Sequence, residues 1–318
     1  IDGGTPLEPA QVEALKSLSR MVKATGLAPA AERKVILTEL GQRIPSLAYA
    51  IASHFCARDI LRVLGGAAFE DLVARLARGN EIAAFAWDGI VEVDRDDEGI
   101  RLRGQKIFVP TALAQWFVVL VDDQLIVLPR ETRGLRIEPL GTIGMRGSAP
   151  ATLVFDNVDL PATRRRVDKD QLERLWAVQS AVDLAAIGCG MAERLEARAI
   201  EHATARVQFP GLFLDDEFRE SIGKFGAVKK MLAQIGARRY VLETLLHQFS
   251  AGDLSDETCR RALELKIVAA DAMNGHPGSI TYNTTQIFGG TGYAEEDFLP
   301  MFYRDGSTFL TLGVPNAE

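Results

Sequence analysis

The hydrophobic pattern of this chain changes period twice, and no other feature constrains its fold as much. Val12, Leu15, Leu18 and Val22 recur at helical spacing, and so do Phe69, Leu72, Val73 and Leu76. Between them Leu47–Leu64 is mostly apolar, which predicts a buried helical segment, and Gly79-Asn80 is a stop signal. From about residue 82 the period falls to two. Ile90, Val91 and Val93 lead into an acidic turn, and Ile100-Arg-Leu-Arg alternates as a half-buried strand does. Gly104–Val109, Trp116–Val121, Gln124–Leu128, Leu135–Ile137 and Thr152–Val158 are further short runs between turn signals. Beyond Pro161 and Arg164-Arg165-Arg166 the helical period returns, over about 170–207, 216–251 and 256–274. The expectation is a mixed α and β chain in three parts: a helical N-terminal domain over 1–81, a small β-barrel over 82–167, and a C-terminal four-helix bundle over 168–318.

Composition narrows the function classes. The chain has 318 residues, 47% hydrophobic and 25% charged, with a net charge of −7, which argues against nucleic acid as the main partner. Cys56, Cys189 and Cys259 stand far apart and read as reduced thiols of a cytoplasmic protein. The four histidines, His54, His202, His247 and His276, are equally scattered, so no metal site is expected. The longest apolar run, Trp116–Val121, is too short to span a bilayer, and no membrane partner is expected.

The stretch that points to chemistry is Gln286–Tyr293, QIFGGTGY, with Arg304-Asp305 and Gly313 behind it. Gly289 and Gly290 either form a tight turn between helices or let backbone amides come close to a ligand, because no Cβ intervenes. A second group lies in the bundle: Arg206, Gln208 and Phe209 within the run Arg-Val-Gln-Phe. Taken alone, Arg206 reads equally as a helix-surface ion pair.

The order of these motifs resembles the acyl-CoA dehydrogenase family. Gln-x-x-Gly-Gly-x-Gly-Tyr, Arg-Asp and a terminal glycine turn look like that family's C-terminal signature, and Arg206–Phe209 looks like its Arg-x-x-Phe motif. Gly104-Gln105-Lys106, Leu140–Ser148 and Leu153–Pro161 are similar to its β-domain segments. The resemblance implies the three-part fold, FAD as cofactor, and α,β-dehydrogenation of an acyl-CoA thioester. In that reaction a carboxylate takes the α-proton while the flavin carries the redox step.

The chain departs from the family at two places. Where most members carry the catalytic glutamate, alignment gives Leu312 or Gly313; at the alternative upstream position it gives Ser180. Asp183, about one turn further on, is the one relocated base to weigh, against a plain solvated carboxylate on the helix surface. The loop that normally holds a subunit's own flavin reads Phe85-Ala-Trp-Asp-Gly-Ile-Val, and the family's Ile-Thr-Asn is Val109-Pro110-Thr111. Proline has no N–H and no hydroxyl to offer a flavin.

By resemblance, what is kept serves a neighbour. Arg206, Gln208, Phe209, Gln286, Gly289 and Gly290 match the residues that reach across the family's dimer interface to the ADP half of the other chain's FAD. Pro210 in place of the motif's glycine, and the extra residues of 211–219, depart from it. The pattern resembles the shortened, base-less subunit of heteromeric acyl-CoA dehydrogenases of actinobacterial steroid degradation. That implies a complete catalytic acyl-CoA dehydrogenase subunit as partner, FAD shared with it, substrate bound mainly by it, and an assembly of two copies of each chain. In this reading the chain has no catalytic residue of its own. The alternatives are an active homo-oligomer using Asp183 as base, and a flavin-free binding or scaffold protein on the same fold.

Overall fold

A computed structural model describes residues 16, 19–20, 22–23, 30–96, 99–159, 164–207, 221–250, 253–294 and 297–313. Val12, Leu15, Leu18, Gln208 and Phe209 lie outside the described residues. Helices α1 (Ala30–Gly41), α2 (Pro45–Ile60) and α3 (Glu70–Ala77) come first, with a π-helical turn at Leu61–Gly65. Eight strands follow: β1 (Ala83–Ala86), β2 (Val91–Asp96), β3 (Gly99–Val109), β4 (Trp116–Val121), β5 (Gln124–Pro129), β6 (Leu135–Pro139), β7 (Ala151–Asp159) and β8 (Arg164–Arg166). The chain then returns to helix: α4 (Lys169–Ala205), α5 (Gly226–Gln248), α6 (Asp256–Met273), α7 (Ile280–Phe288) and α8 (Leu299–Ser307). The order helix, strand, helix is the one the periodicity predicts.

The strands form two four-stranded sheets, ordered β1-β4-β5-β8 and β2-β3-β7-β6, and no closed barrel forms among the described residues. Only β1 and β4 pair in parallel; the other pairs are antiparallel. The register of β3 against β7 slips between Lys106 and Val109. Phe108 sits there at φ 52° and is exposed, so the bulge turns an apolar ring outward.

The chain divides into two compact units, 1–36 with 46–180 and 37–45 with 181–318. In the first unit, α2 places His54 in the core, 0% exposed, where Nδ1 accepts the amide hydrogen of Ala83 at 3.2 Å. Burial, helped by Arg58, pushes its pKa from 6.5 down to about 3, with a backbone hydrogen bond to Leu76 and the charge of Asp59 opposing. Between those two values the unfolded chain binds a proton that the folded chain refuses, so stability falls as pH drops below about 6.5 and keeps falling toward 3. The slope of one such group is roughly 1.4 kcal/mol per pH unit. A His54→Asn variant, which keeps an acceptor for Ala83, is expected to flatten the fall in urea-unfolding free energy between pH 6 and pH 4. An unchanged slope contradicts this.

In the second unit, α4 is the central element. Residues 183–192 are buried without a break, so this stretch has no solvent face. Its most apolar window is long enough to cross a bilayer, but 72% of it is buried inside the protein, as in a core helix. Small residues set its packing. A Cβ on Gly190 would lie 1.9 Å from the Thr38 carbonyl oxygen, and one on Gly41 would lie 2.5 Å from the Ile187 carbonyl oxygen. The Thr38 hydroxyl donates to the Ala186 carbonyl at 3.1 Å, and Gln42 Nε2 donates to Glu193 at 2.5 Å. These contacts fix the end of α1 along α4.

Candidate functional site

The QIFGG stretch forms the end of α7. Ser279 caps that helix, its hydroxyl accepting from the Tyr282 amide at 3.3 Å. Ile280, Thr281, Thr284, Ile287 and Phe288 are buried, which leaves Gln286 on the exposed face. Gly289 ends the helix at φ 60° and ψ −134°, a conformation open almost only to glycine.

The three glycines here have different reasons to be glycine. A Cβ on Gly292 would meet the Thr285 carbonyl oxygen at 2.7 Å and the Phe288 Cβ at 2.8 Å, so packing demands it. Gly289 is demanded by its backbone. Gly290 has no positive φ, and a Cβ there would meet nothing within 4 Å. Neither strain nor crowding among the described residues explains Gly290.

Arg206 follows directly on α4. Its amide donates to the His202 carbonyl at 2.9 Å, and its carbonyl accepts from the Ile222 amide at 2.8 Å. Val207 then bridges Ser221. The main chain is thus held on both sides while the side chain is exposed. Its guanidinium makes no hydrogen bond or ion pair among the described residues.

His202 joins the two segments. Its ring stacks on Phe288, centroids 4.0 Å apart and planes 17° apart, and the Arg198 guanidinium lies 5.9 Å from the same ring. Phe288 immediately precedes Gly289, so Arg206 and the glycine turn share one neighbourhood. Arg198 and His202 are four residues apart on one face of α4, and Arg206 follows just past the helix end. Burial lowers the His202 pKa first, then the charges of Arg206 and Arg198, with Asp297 opposing. Arg198 and Arg206 thus bring two positive charges near His202, with Asp297 opposing them. Sequence reasoning missed His202 and Arg198; the four-residue spacing back from Arg206 was the available signal.

The positions weighed for a base give no exposed carboxylate. Leu312 donates its amide to the Thr308 carbonyl at 3.1 Å, and Gly313 turns the chain at φ 66°. The Ser180 hydroxyl donates back to Ala177 at 3.3 Å. Asp183 corrects an expectation: it is 4% exposed, not a solvated surface carboxylate. A carboxylate on a helix is more often solvated, but this helix is buried all round there.

In the first unit, the segment 85–91 is used by the fold. Trp87 stacks on Trp176 with centroids 4.6 Å apart. Lys106 Nζ donates to the carbonyls of Trp87 at 2.8 Å and Gly89 at 3.0 Å. Burial lowers the Lys106 pKa, and Asp88 partly restores it. Thr111 is 1% exposed at φ 71°; its amide donates to Ser148 at 2.8 Å and its hydroxyl points to the Ala50 carbonyl at 3.4 Å. That hydroxyl is turned into the core.

The fold is that of the acyl-CoA dehydrogenases. Over 98% of this chain and 96% of the other, it superposes on butyryl-CoA dehydrogenase from Megasphaera elsdenii with a TM-score of 0.74 and 20% identity. With the FAD complex of PigA the TM-score is 0.77 at 17% identity, covering 98% of this chain and 96% of that one. In sequence the chain is 26% identical over 180 residues to the mitochondrial very long-chain specific acyl-CoA dehydrogenase of Rattus norvegicus. That match covers 55% of this chain and only 25% of the relative's length. No protein-family model matches.

Proposed function

We propose that this chain is a subunit of a flavin-dependent acyl-CoA dehydrogenase that lends a cofactor-binding surface to a catalytic partner. Two observations carry this: the exposed Arg206 guanidinium, unpaired among the described residues, and a Gly290 whose Cβ space is open. Guanidinium suits a pyrophosphate because it offers paired donors and keeps its charge. In this reading Arg206 holds phosphate, Gly289 and Gly290 give main-chain access, and Gln286 reaches the adenosine end. Gln208 and Phe209 complete the surface by resemblance. FAD supplies the hydride acceptor when bound; this chain binds and orients, and holds no proton-accepting group at Ser180, Leu312 or Gly313. The shared site implies a cytoplasmic assembly of two copies of each chain, with one FAD per heterodimer. A steroid-derived acyl-CoA is the substrate to try first.

Co-expression with a full-length acyl-CoA dehydrogenase tests the proposal. Colour and turnover are expected only in the complex. A yellow, active chain on its own supports the homo-oligomer instead, and a colourless complex supports a scaffold. Asp183→Asn is expected to leave turnover within about threefold, whereas a loss on the order of 100-fold assigns a general base.

A further inference from the structure

A second cleft in the 37–45 and 181–318 unit has about 470 Å³ of space and is lined by Gln42, Arg43, Arg194, Phe298 and Phe302. We propose that it is a separate ligand site for a phosphate-bearing purine nucleotide, distinct from the Arg206 surface. Arg194 lies three turns before Arg206 on α4, continuing the row of Arg198 and His202 at four-residue steps. Both arginines of the cleft are exposed, and neither forms an ion pair among the described residues. Some surface arginines are matched with carboxylates, Arg239 with Glu196 and Glu243 and Arg260 with Glu257 and Glu264, whereas Arg43 and Arg194 are not. In a chain of net charge −7, two cations left facing one cleft are an anion-binding feature.

The rest of the lining defines the remainder of the ligand. Phe298 and Phe302 meet edge to face, centroids 5.0 Å apart at 82°, and the Arg194 guanidinium lies 5.1 Å from the Phe298 ring. Phe302 is buried behind it, so the half-buried Phe298 is the aromatic surface at the cleft, and it takes a flat ring better than an acyl chain. Gln42 spends its Nε2 on Glu193, so its side-chain carbonyl remains to accept, for example from an exocyclic amine. The volume fits one nucleotide within the range of small-molecule sites. Ring, amide acceptor and two guanidinium groups together match a purine with phosphates. A larger acidic polypeptide would use the charges and leave the aromatic wall without a role.

Calorimetric titration of the whole chain with ADP tests this, first alone and then in complex with its partner. Saturable binding with a Kd in the micromolar range is expected for ADP, with adenosine at least tenfold weaker. Arg43→Gln and Arg194→Gln change exposed side chains, so the fold should persist by circular dichroism, and each is expected to weaken ADP at least tenfold. Arg206→Ala is expected to leave ADP binding unchanged, which separates this site from the proposed flavin surface. The proposal is overturned if ADP shows no saturable binding to the free chain, if both arginine variants bind normally, or if Arg206→Ala alone abolishes binding.

Discussion

Replacing Arg206 with alanine is expected to strip flavin from the co-expressed complex while this chain stays folded. The side chain is exposed and has no hydrogen-bonded partner among the described residues, so its removal should cost the fold under about 0.5 kcal/mol. A charge-assisted contact to phosphate at an interface is worth far more, roughly 3 kcal/mol, or on the order of 100-fold in retention. The measurement is flavin absorbance per complex after dilution and gel filtration, with helix content followed in parallel. Full occupancy in the variant would sink the trans-contact reading. Loss of helix together with flavin would show that Arg206 is structural after all.

The second large effect is expected from two neighbouring glycines that respond in opposite ways. Gly290→Leu adds a side chain where a Cβ meets nothing within 4 Å, so the isolated chain should melt within about 1 °C of the parent. In the complex the same side chain would fill the space assigned to the cofactor, and flavin retention should fall more than tenfold. Gly292→Leu places its Cβ 2.7 Å from the Thr285 carbonyl, and should lower the melting temperature of the isolated chain by several degrees. If Gly290→Leu leaves the complex fully yellow, the open space has no ligand in it.

Much of this molecule was legible before any coordinates. Alternation from Ile100 became a strand because period two admits little else, and the apolar runs Trp116–Val121 and Gln124–Leu128 became strands because they are short and bounded by turn signals. The long segments after 168 became helices because the helical period returns there. The number of sheets was not legible, since strand spacing says nothing about which edges meet. Asp183 misled because a single polar residue in an apolar helix reads as solvated; only the packing on every side of α4 corrects that. Of the candidate site, Arg206, Gln286, Gly289 and Gly290 came from motifs, but their proximity did not. It depends on the His202–Phe288 stack, a pairing of residues 86 positions apart that no local pattern encodes.

The inward turn of Thr111 has a consequence for engineering. Under the proposed function, a carboxylate introduced at Leu312 would supply the missing proton acceptor and still leave no self-contained enzyme. The threonine nearest the place where the family holds its own flavin is committed to Ala50 and Ser148, and the residue before it is a proline. Redirecting that hydroxyl would require rebuilding the strand end from Phe108 to Thr111, where two residues already sit at positive φ. If the proposed function holds, dependence on a second chain rests on backbone geometry, which point substitution does not readily reverse.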